Sequence, residues 1–382
     1  MKCRLFPKAG RAVIVLSSVV LAVVQQGNPP FPATTAPPGD QMSMPPIRHI
    51  LLMGLLGFVA FLPALSPAAT NAPAPNIRPC DIYSRAHTPC VAAFSTTRVL
   101  FAAYTGPLYQ VTRQSDKTAK NIGLLSDGYA NAATQDSFCD KTTCTITRIY
   151  DQSSRHNDLT VAPPGGAARG RGPGGDDLPA IANALPVTAH GHKVYGIYIS
   201  AGMGYRNDKT SGIAVNGQPE GVYMVTSAIH ANGGCCFDFG NAETNSRDNG
   251  NGHMDAISLM CGNPCNPHVG LDMENGIYPG LPVTAGLPFV TALGANDGQK
   301  KYQVYWGNAQ LGGLATTGLL PLPNKSYTPM HQEGAILLGI GGDNSNASIG
   351  SFFEGVMTAG VPPSATMNEI QANVVAVGYA AP

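Results

Sequence analysis

Charged residues are scarce in this sequence, and the two signs balance. Among 382 residues there are 23 Lys plus Arg and 23 Asp plus Glu, so charged residues make up 12% and the formal net charge is zero. Proteins that hold nucleic acid carry an excess of Lys and Arg, which neutralises phosphates. The composition therefore argues against a nucleic-acid partner.

Long apolar runs and helical periodicity are also sparse. Two apolar stretches near the N-terminus, Ala12–Val24 and Ile50–Leu65, are each shorter than the roughly 20 residues that a membrane-spanning helix needs. The best helical pattern lies in the tail, where we expect Ser364 to cap a helix that ends near Gly378. We expect no helical bundle, and no membrane contact for the mature chain.

The N-terminal region has the pattern of a processed leader. A basic pair precedes Ile50–Leu65 and two alanines follow it, so residues 44–69 are typical of a signal peptide, and residues 1–43 read as an upstream extension. The alternative is a signal anchor at Ala12–Val24 followed by a Pro-rich stalk. Both place the globular part in an oxidising compartment. We expect a leader at 1–70 and a secreted, extracellular domain at 71–382.

Gly and Pro are abundant, with 45 and 32 residues, and they separate short apolar runs. This pattern is typical of an all-β sandwich or jelly roll with few short helices. A Pro- and Gly-rich stretch at Pro163–Gly175 predicts an exposed loop. The predicted strands are Val99–Tyr104, Thr143–Tyr150, Lys193–Ser200, Gly221–Ser227, Pro288–Leu293, Tyr302–Trp306 and Ala335–Ile340.

Eight of the nine cysteines lie beyond the predicted leader, in four close pairs. Local pairing is the simplest scheme for a secreted chain, although spacing alone does not fix connectivity, and free buried thiols are the alternative. His253 and His268 lack the spacing of zinc ligands, so we expect neither a metal nor a cofactor. The pairs are Cys80 with Cys90, Cys139 with Cys144, Cys235 with Cys236, and Cys261 with Cys265.

Two segments hold carboxylates among Gly and Asn rather than in charged runs. In 270–276, strand alternation would place Asp272 and Glu274 on one face, where mutual repulsion raises the pKa of at least one of them. In 338–346, an apolar run ending in Gly341-Gly342 would present Asp343 at the end of a strand. Glycoside hydrolysis uses two carboxyl groups flanking one bond, and these segments are candidates to supply them.

Each segment also has a simpler interpretation. Asn275-Gly276 is typical of a hairpin turn, in which case Asp272 and Glu274 would only flank the turn. The segment around Asp343 is equally typical of a plain turn or of a calcium-binding loop. The adjacent Cys235 and Cys236 would form a small rigid ring if they bond to each other, or each would pair elsewhere.

The sequence from about Pro79 to Ala380 resembles glycoside hydrolase family 54, the fungal α-L-arabinofuranosidases of the B type. The similarity is specific because many segments match in the same order. They are Pro79–Tyr83, Ile149–Ser153, Gly204–Asp208, Cys235–Asn251, Glu274–Gly276, Gly334–Asn346 and Glu354–Met357.

This resemblance implies a concanavalin-like β-sandwich and a retaining mechanism. The family's nucleophile motif falls on Glu274 and its acid/base motif on Asp343, with carboxyls that double displacement requires to lie roughly 5–5.5 Å apart. It also implies a disulfide between Cys235 and Cys236 that lines the arabinose pocket. Further substrate contacts are implied at Asp272, Asn275, Gly276 and Gly342.

The sequence departs from the family in two places. Members usually carry a C-terminal arabinose-binding β-trefoil, and we expect none here because the sequence ends at Pro382, so binding to polymeric substrate should be weaker. Members also tend to have a Trp between the vicinal cysteines and the nucleophile, whereas the only Trp here is Trp306. The region Leu259–His268 instead holds Cys261 and Cys265, which predicts a rebuilt pocket wall and an altered substrate preference.

Together these features predict a monomeric, exo-acting, retaining α-L-arabinofuranosidase. Its expected partners are arabinose-containing polysaccharides of the plant cell wall, from which it would release terminal arabinofuranosyl groups. A non-catalytic sugar-binding sandwich is one alternative, and the presence of both Glu274 and Asp343 argues against it. A related β-xylosidase or galactofuranosidase is the other, since the missing Trp alters the pocket.

Overall fold

The computed structural model describes residues 77–262 and 264–382. The predicted leader at 1–70 and the first residues of the domain predicted at 71–382 lie outside these ranges, so the signal peptide stays a prediction. Within the described ranges, no helix is both long and apolar enough to cross a bilayer.

Short strands separated by turns dominate the described chain. In chain order the strands are β1 (Cys90–Ser95), β2 (Tyr109–Arg113), β3 (Ala119–Ile122), β4 (Cys144–Ile149), β5 (Leu159–Val161), β6 (Leu185–Ala189), β7 (His192–Ile199), β8 (Tyr205–Asn207), β9 (Glu220–Thr226), β10 (Asp238–Ala242), β11 (Asp255–Cys261), β12 (Pro267–Asp272), β13 (Ile277–Pro282), β14 (Val290–Asn296), β15 (Lys301–Asn308), β16 (Ala315–Thr316), β17 (Leu320–Pro321), β18 (Ala335–Leu338), β19 (Gly350–Phe352) and β20 (Glu354–Ala359). The helices are α1 (Pro79–Arg85), α2 (Ala132–Phe138) and α3 (Ser364–Val375), with single 3₁₀ turns at Pro173–Gly175 and Lys325–Tyr327.

These strands form two large antiparallel sheets and a small one. Sheet A has seven strands in the order β1-β20-β9-β14-β15-β16, with β17 also paired to β15. Sheet B has ten strands in the order β13-β12-β11-β10-β18-β8-β5-β4-β2-β3, and sheet C has the order β19-β7-β6. In sheet B the hairpin strands β10 to β13 lie beside β18, which comes much later in the chain. The two segments with candidate carboxylates therefore belong to one sheet.

Sheets A and B pack face to face around an apolar core. Phe239 of β10 contacts Phe94 of β1 edge to face, with 6.1 Å between the ring centroids. A Cβ atom on Gly294 of β14 would lie 2.4 Å from the side chain of Leu271 in β12, so the sheets approach closely at that point. The prediction of an all-β sandwich with few short helices is confirmed.

Helices α1 and α3 lie against the outer face of sheet A. The ring of Tyr83 in α1 lies 6.2 Å from that of Tyr223 in β9, and the Gln371 amide of α3 donates to the Asn308 carbonyl of β15 at 2.8 Å. Every residue of β9 and of β14 is consequently buried. Burial on both faces explains why these strands appear in the sequence as continuous apolar runs rather than alternating ones.

One predicted strand, Val99–Tyr104, is wrong. Its amides bond to loops, since Val99 N–H donates to the Gly128 carbonyl at 2.8 Å and Leu100 N–H donates to the Gln152 side chain at 2.7 Å. The strand in this part of the chain is β1, which ends at Ser95, before the predicted segment begins. Apolar side chains in this segment mark a buried loop, which periodicity alone does not distinguish from a strand.

The predicted tail helix exists, but its cap and its end differ from the prediction. Ser364 is the first residue of α3 and Pro363 occupies the cap position, while the helix ends at Val375 rather than near Gly378. The Ser364 hydroxyl lies 3.0 Å from the hydroxyl of Tyr305 in β15. This contact directs the serine side chain to the sheet instead of to the helix backbone.

The four local cysteine pairs all form disulfides. Three of them close short segments, with Cα–Cα distances of 5.5 Å for Cys80–Cys90, 5.8 Å for Cys139–Cys144 and 4.8 Å for Cys261–Cys265. The fourth joins the adjacent Cys235 and Cys236. The local pairing scheme is confirmed, and the alternative of free thiols is wrong.

A buried ion pair lies between sheet A and α3. The guanidinium of Arg98 makes two hydrogen bonds of 2.6 Å to the carboxylate of Glu354, and both side chains are almost fully buried. Asn373, Tyr223 and Tyr379 complete the contacts at 2.9, 3.1 and 2.9 Å. Every charged oxygen and the opposing cation therefore have partners, as buried charges require.

Candidate active site

Glu274 lies in the tight turn that joins β12 to β13. Glu274 and Asn275 both adopt left-handed backbone conformations, with φ of 65° and 57°, which is uncommon for residues other than glycine. The Glu274 N–H donates to Asp272 Oδ1 at 3.0 Å, and the Tyr327 hydroxyl donates to the Glu274 carbonyl at 2.9 Å. The turn interpretation of Asn275-Gly276 thus agrees with the structure, and the same turn orients the candidate nucleophile.

Asp343 lies in the loop that follows β18. Its Oδ1 accepts hydrogen bonds from the Ser345 N–H at 3.0 Å and the Ser345 hydroxyl at 2.6 Å. The Asp343 carbonyl accepts from the Ala167 N–H at 2.9 Å, which links the loop to the predicted Pro163–Gly175 loop. The carboxyl is half-buried, so it is fixed in position and still accessible to a ligand.

Gly342 brings the Asp343 loop to Glu274. A Cβ atom at position 342 would lie 2.9 Å from Glu274 Oε2 and 2.1 Å from Glu243 Oε2. Any larger residue would collide with both carboxyls, so only glycine allows this close approach. The structure therefore places Gly342, the neighbour of Asp343 in the chain, against the carboxyl of Glu274.

Glu243 was not among the residues singled out from the sequence. It directly follows β10, is fully buried, and neither of its carboxylate oxygens has a hydrogen-bond donor among the described residues. Its side chain meets that of Glu274 instead. Two ionised carboxylates are both acceptors, so this contact is satisfied only when the pair retains a proton. The signal available in the sequence was another carboxylate flanked by Asn and Gly.

The pKa values of both acids respond to this contact. Burial and the neighbouring Glu243 raise the pKa of Glu274 to about 10. Burial also raises the pKa of Glu243, while the contact with Glu274 and, to a smaller extent, the Arg206 guanidinium lower it. For two acids in contact, such values describe the pair rather than one residue. The Glu243–Glu274 pair therefore keeps one proton through neutral pH.

Asp272 and Asp238 form a second pair of buried acids near the Glu243–Glu274 pair. Burial raises the pKa of Asp272 to about 7, and burial together with Asp272 raises that of the adjacent Asp238 well above its usual range. The pKa values of Asp272 and Glu274 are both raised, but the main cause is burial, and the predicted repulsion between these two acids contributes only a smaller part, at Glu274. The alternation argument behind it holds only in part, because β12 ends at Asp272 and Glu274 belongs to the turn.

Arg206 in β8 links the two sides of the site. Its buried guanidinium donates to the Gly342 carbonyl through Nη1 at 2.8 Å and to the Glu243 carbonyl through Nη2. Its Nε bonds to Asp208 at 2.5 Å. One side chain thereby fixes the backbones that carry Glu243 and Asp343, while it contacts neither carboxylate of those two residues.

The vicinal disulfide packs against the Asp343 loop. The Cys236 N–H donates to the Ser345 carbonyl at 3.0 Å, and the Ala347 N–H donates to the Cys235 carbonyl at 2.9 Å. Among the described residues, Cys236, Asp238 and Asp272 place ligand atoms within 4.8 Å of one another. Because the Cys236 sulfur is bonded to Cys235 rather than present as a thiolate, this group is a poor match for a metal site.

The Cys261–Cys265 disulfide closes the turn between β11 and β12. This is the region in which the sequence departs from the family pattern. The Cys261 N–H donates to the Asn232 carbonyl at 3.2 Å, and the Cys265 sulfur lies 3.9 Å from the Ala231 carbonyl. These contacts hold the segment that leads into Cys235. The second disulfide thus supports the wall that carries the vicinal one.

An open cleft of about 530 Å³ begins at Asp343. The loops at 164–169 and 245–248 form its sides, with Arg169 and Arg247 among the lining residues. Asn275 Nδ2 donates to Asp248 Oδ1 at 3.2 Å, so the Glu274 turn is tied to one side of the cleft. The predicted Pro163–Gly175 loop is present and forms the other side. A ligand in this cleft would contact Asp343.

Comparison with known proteins agrees with this architecture. Residues 79–380 match the family model described as "Alpha-L-arabinofuranosidase B, catalytic". Curated relatives include an α-L-arabinofuranosidase of Hypocrea jecorina and an arabinofuranosidase/β-xylosidase of Trichoderma koningii, each 53% identical over 317 residues, which is 79% of this chain and 63% of the relative. This chain therefore spans less than two thirds of the length of those relatives.

A crystal structure of an arabinofuranosidase complexed with arabinofuranosyl-α-1,2-xylobiose has a similar fold. The TM-score is 0.77 at 45% sequence identity, over 80% of this chain and 66% of that one. A second structure, of a family 54 α-L-arabinofuranosidase soaked with a cyclic sulfate inhibitor, gives the same values. The chain belongs to glycoside hydrolase family 54, the family of α-L-arabinofuranosidase B catalytic domains.

Proposed function

We propose that this protein is an exo-acting, retaining α-L-arabinofuranosidase. The observation that carries the proposal is the approach of the Asp343 loop to the buried Glu274 turn at Gly342, beside an open cleft. Retaining glycosidases need one carboxyl as nucleophile and one as acid and base, both on rigid backbone. Membership of the family supports the same reaction.

In the first step, Asp343 gives its proton to the glycosidic oxygen while Glu274 attacks the anomeric carbon. The carbon–oxygen bond to the leaving group breaks with its electron pair, and an ester between Glu274 and the arabinosyl group forms. Asp343 suits this role because it lines the cleft in which a leaving group could lie. Glu274 suits the other role because its backbone is held on both sides of the turn.

In the second step, Asp343 takes a proton from water, and the water oxygen attacks the anomeric carbon. The ester bond breaks, Glu274 regains its charge and Asp343 regains its proton, so the enzyme returns to its initial state. We propose that Asp272, Asn275, Gly276 and Gly342 hold the sugar, with the Cys235–Cys236 disulfide as an apolar surface beneath it.

We propose arabinan and arabinoxylan side chains as the substrates. The names of the relatives, and the arabinofuranosyl-α-1,2-xylobiose bound to the similar crystal structure, support this class. We also propose that the mature protein is secreted and monomeric. Four disulfides support an oxidising, extracellular location.

A β-xylosidase side activity is a second candidate. One relative with 53% identity carries the name arabinofuranosidase/β-xylosidase. The rebuilt wall around Cys261–Cys265 is the part of this site that would affect the choice of sugar. We expect any such activity to use the same Glu274 and Asp343.

The test compares rates on three nitrophenyl glycosides with the full chain: the α-L-arabinofuranoside, the β-D-xylopyranoside and the β-D-galactofuranoside. The proposal predicts the highest kcat/KM for the arabinofuranoside and release of free arabinose from arabinoxylan. A folded protein that binds arabinan but cleaves none of the three would support the sugar-binding alternative. A higher kcat/KM for another glycoside would contradict the proposed substrate class.

A further inference from the structure

We infer that Glu243 positions the catalytic nucleophile: its carboxyl holds the proton that the two neighbouring acids share and donates it as a hydrogen bond to Glu274. This inference rests on the proposed function, because it assigns Glu274 as the group that attacks. It gives a role to a buried acid that the two-carboxylate mechanism does not use.

The position of Glu243 is the first argument. Glu243 is completely buried, with a relative accessibility of 0%, compared with 9% for Glu274. Both its oxygens lack a donor among the described residues. Its Oε2 and the Oε2 of Glu274 lie 2.1 and 2.9 Å from the same point, the position that a Cβ atom on Gly342 would occupy. A buried carboxyl with this single contact needs a proton to satisfy it.

The surrounding charges are the second argument. Glu243 faces Glu274, Glu333 and the cation of Arg206, while Glu274 also faces Asp272 and Asp248. Arg206 donates its hydrogen bonds to the carbonyls of Glu243 and Gly342 and to the Asp208 carboxylate. It donates none to the Glu243 carboxyl. No described cation therefore neutralises two adjacent carboxylates, and one of them stays protonated.

The location of the proton follows from the chemistry. Glu274 must be ionised to attack the anomeric carbon, so the shared proton belongs on Glu243 in the reactive form. Glu243 is also the more deeply buried of the two, and a charge is least favourable where burial is greatest. As the ester forms, Glu274 loses its charge and its carbonyl oxygen continues to accept the hydrogen bond. The proton stays on Glu243 throughout.

Two variants of the full chain test this inference. Glu243→Gln keeps a donor to Glu274 but has no ionisable proton, whereas Glu243→Met removes the donor at similar volume. The readout is kcat/KM for 4-nitrophenyl α-L-arabinofuranoside as a function of pH, whose acidic limb reports ionisation of the free nucleophile.

We expect Glu243→Gln to retain kcat/KM within about tenfold and to leave the acidic limb in place, because the amide substitutes for the acid. We expect Glu243→Met to shift the acidic limb upward by roughly 1–2 pH units, because a buried carboxylate without a donor is harder to ionise. A downward shift in Glu243→Gln would mean that Glu243 is normally charged, and it would overturn the inference. An unshifted limb in a folded, active Glu243→Met would do the same.

Glu220→Gln is the matched control. Glu220 in β9 is another deeply buried acid, and its oxygens accept from Asn241 Nδ2 at 3.0 and 3.2 Å. Its replacement tests the general effect of a buried amide, and we expect it to leave the acidic limb unchanged. A shift equal to that of Glu243→Met would indicate a general electrostatic effect and would contradict a specific role for Glu243.

A second measurement keeps the inference testable if Glu243→Met does not fold. Infrared spectra at neutral pH report protonated carboxyl groups, and we expect Glu243→Gln to lack one such band that the wild type has. Persistence of every band would overturn the inference. Failure of the proposed function is distinguishable, because the wild type would then not cleave the arabinofuranoside, whatever the Glu243 variants show.

Discussion

Two buried charge clusters in the described part of this protein are built in opposite ways. Below α3, Arg98 and Glu354 form a bidentate pair, and three polar side chains complete the hydrogen bonds. Around Glu274, four acids lie together, and both carboxylate oxygens of Asp238 and of Glu243 lack a donor among the described residues. In the first cluster each charged group has an opposite charge and hydrogen-bond partners. In the second cluster like charges lie side by side without a neutralising cation.

This difference separates a structural cluster from a catalytic one. A matched ion pair has one stable protonation state, which suits a fixed contact between helix and sheet. Adjacent acids without a neutralising cation keep a proton between them, which leaves the other acid able to gain and lose charge during a reaction. The first three of the following changes should each affect one cluster and spare the other, and the fourth tests a separate buried acid.

Glu274→Gln should have the largest effect on activity. We expect kcat to fall by about 10⁴-fold, because the amide cannot form the covalent intermediate. Stability should be unchanged or slightly higher, since a carboxyl in conflict with Glu243 is removed. Steady-state kinetics and thermal unfolding measure the two effects. A variant with near wild-type kcat would contradict the assignment of the nucleophile.

Glu354→Gln should show the reverse pattern. Removal of one partner leaves the Arg98 cation buried without its counterion, and we expect a loss of about 3–5 kcal/mol in the free energy of unfolding. Activity per folded molecule should stay at the wild-type level at low temperature. Urea unfolding and active-site titration check both parts. A large loss of kcat in the folded fraction would show that the two clusters are coupled.

Gly342→Ala should disturb the catalytic cluster to a smaller extent. The added methyl would lie 2.1 Å from Glu243 Oε2 and 2.9 Å from Glu274 Oε2, so the loop or the acids must move. We expect kcat to fall by about 10²-fold through misalignment. Gly313→Ala is the control, since a Cβ there meets nothing within 4 Å. Equal kinetic constants for the two variants would show that the catalytic acids do not depend on glycine at position 342.

Asp255→Asn should have the smallest effect, on the pH dependence of stability. Burial raises the pKa of Asp255 to about 7, although its contacts with Asn296, Glu220 and Gln332 oppose the rise. Between its unfolded pKa and that value the folded state holds a proton that the unfolded state releases, so stability falls as pH rises, by about 1.4 kcal/mol per pH unit.

Asparagine at position 255 should remove this contribution, so that the slope becomes shallower between about pH 4 and 7. Urea unfolding at several pH values measures the slope for the wild type and the variant. Asp140→Asn, at an exposed position, should leave it unchanged. A slope that is the same in Asp255→Asn and in the wild type would disprove the contribution of the Asp255 carboxyl to the pH dependence of stability.

Part of the sandwich and part of the site could be predicted from the sequence. Short apolar runs between glycines indicated six of the twenty described strands, namely β4, β7, β9, β14, β15 and β18, and the family motifs pointed to Glu274 and Asp343. Glu243 was missed because its partner lies 31 positions later and reaches it only through the pairing of β10, β11 and β12. Arg206 was missed for the same reason, since its targets are backbone carbonyls that leave no sequence pattern.

The wrong strand at Val99–Tyr104 has a different cause. Its buried residues lie in a loop whose amides are satisfied by Gly128 and by the Gln152 side chain. Local periodicity carries no information on such long-range partners. The sequence therefore indicated which segments are buried more reliably than how their backbones are bonded.

Trapping the covalent intermediate tests most directly which acid of the catalytic cluster attacks. Asp343→Asn should form the intermediate from 4-nitrophenyl α-L-arabinofuranoside, whose leaving group needs little acid assistance, and should hydrolyse it slowly without a base. Mass spectrometry of a rapidly quenched digest should then find one arabinosyl group esterified to Glu274. An arabinosyl group on Glu243 or Asp272, or turnover by Asp343→Asn with no trapped ester, would contradict the account.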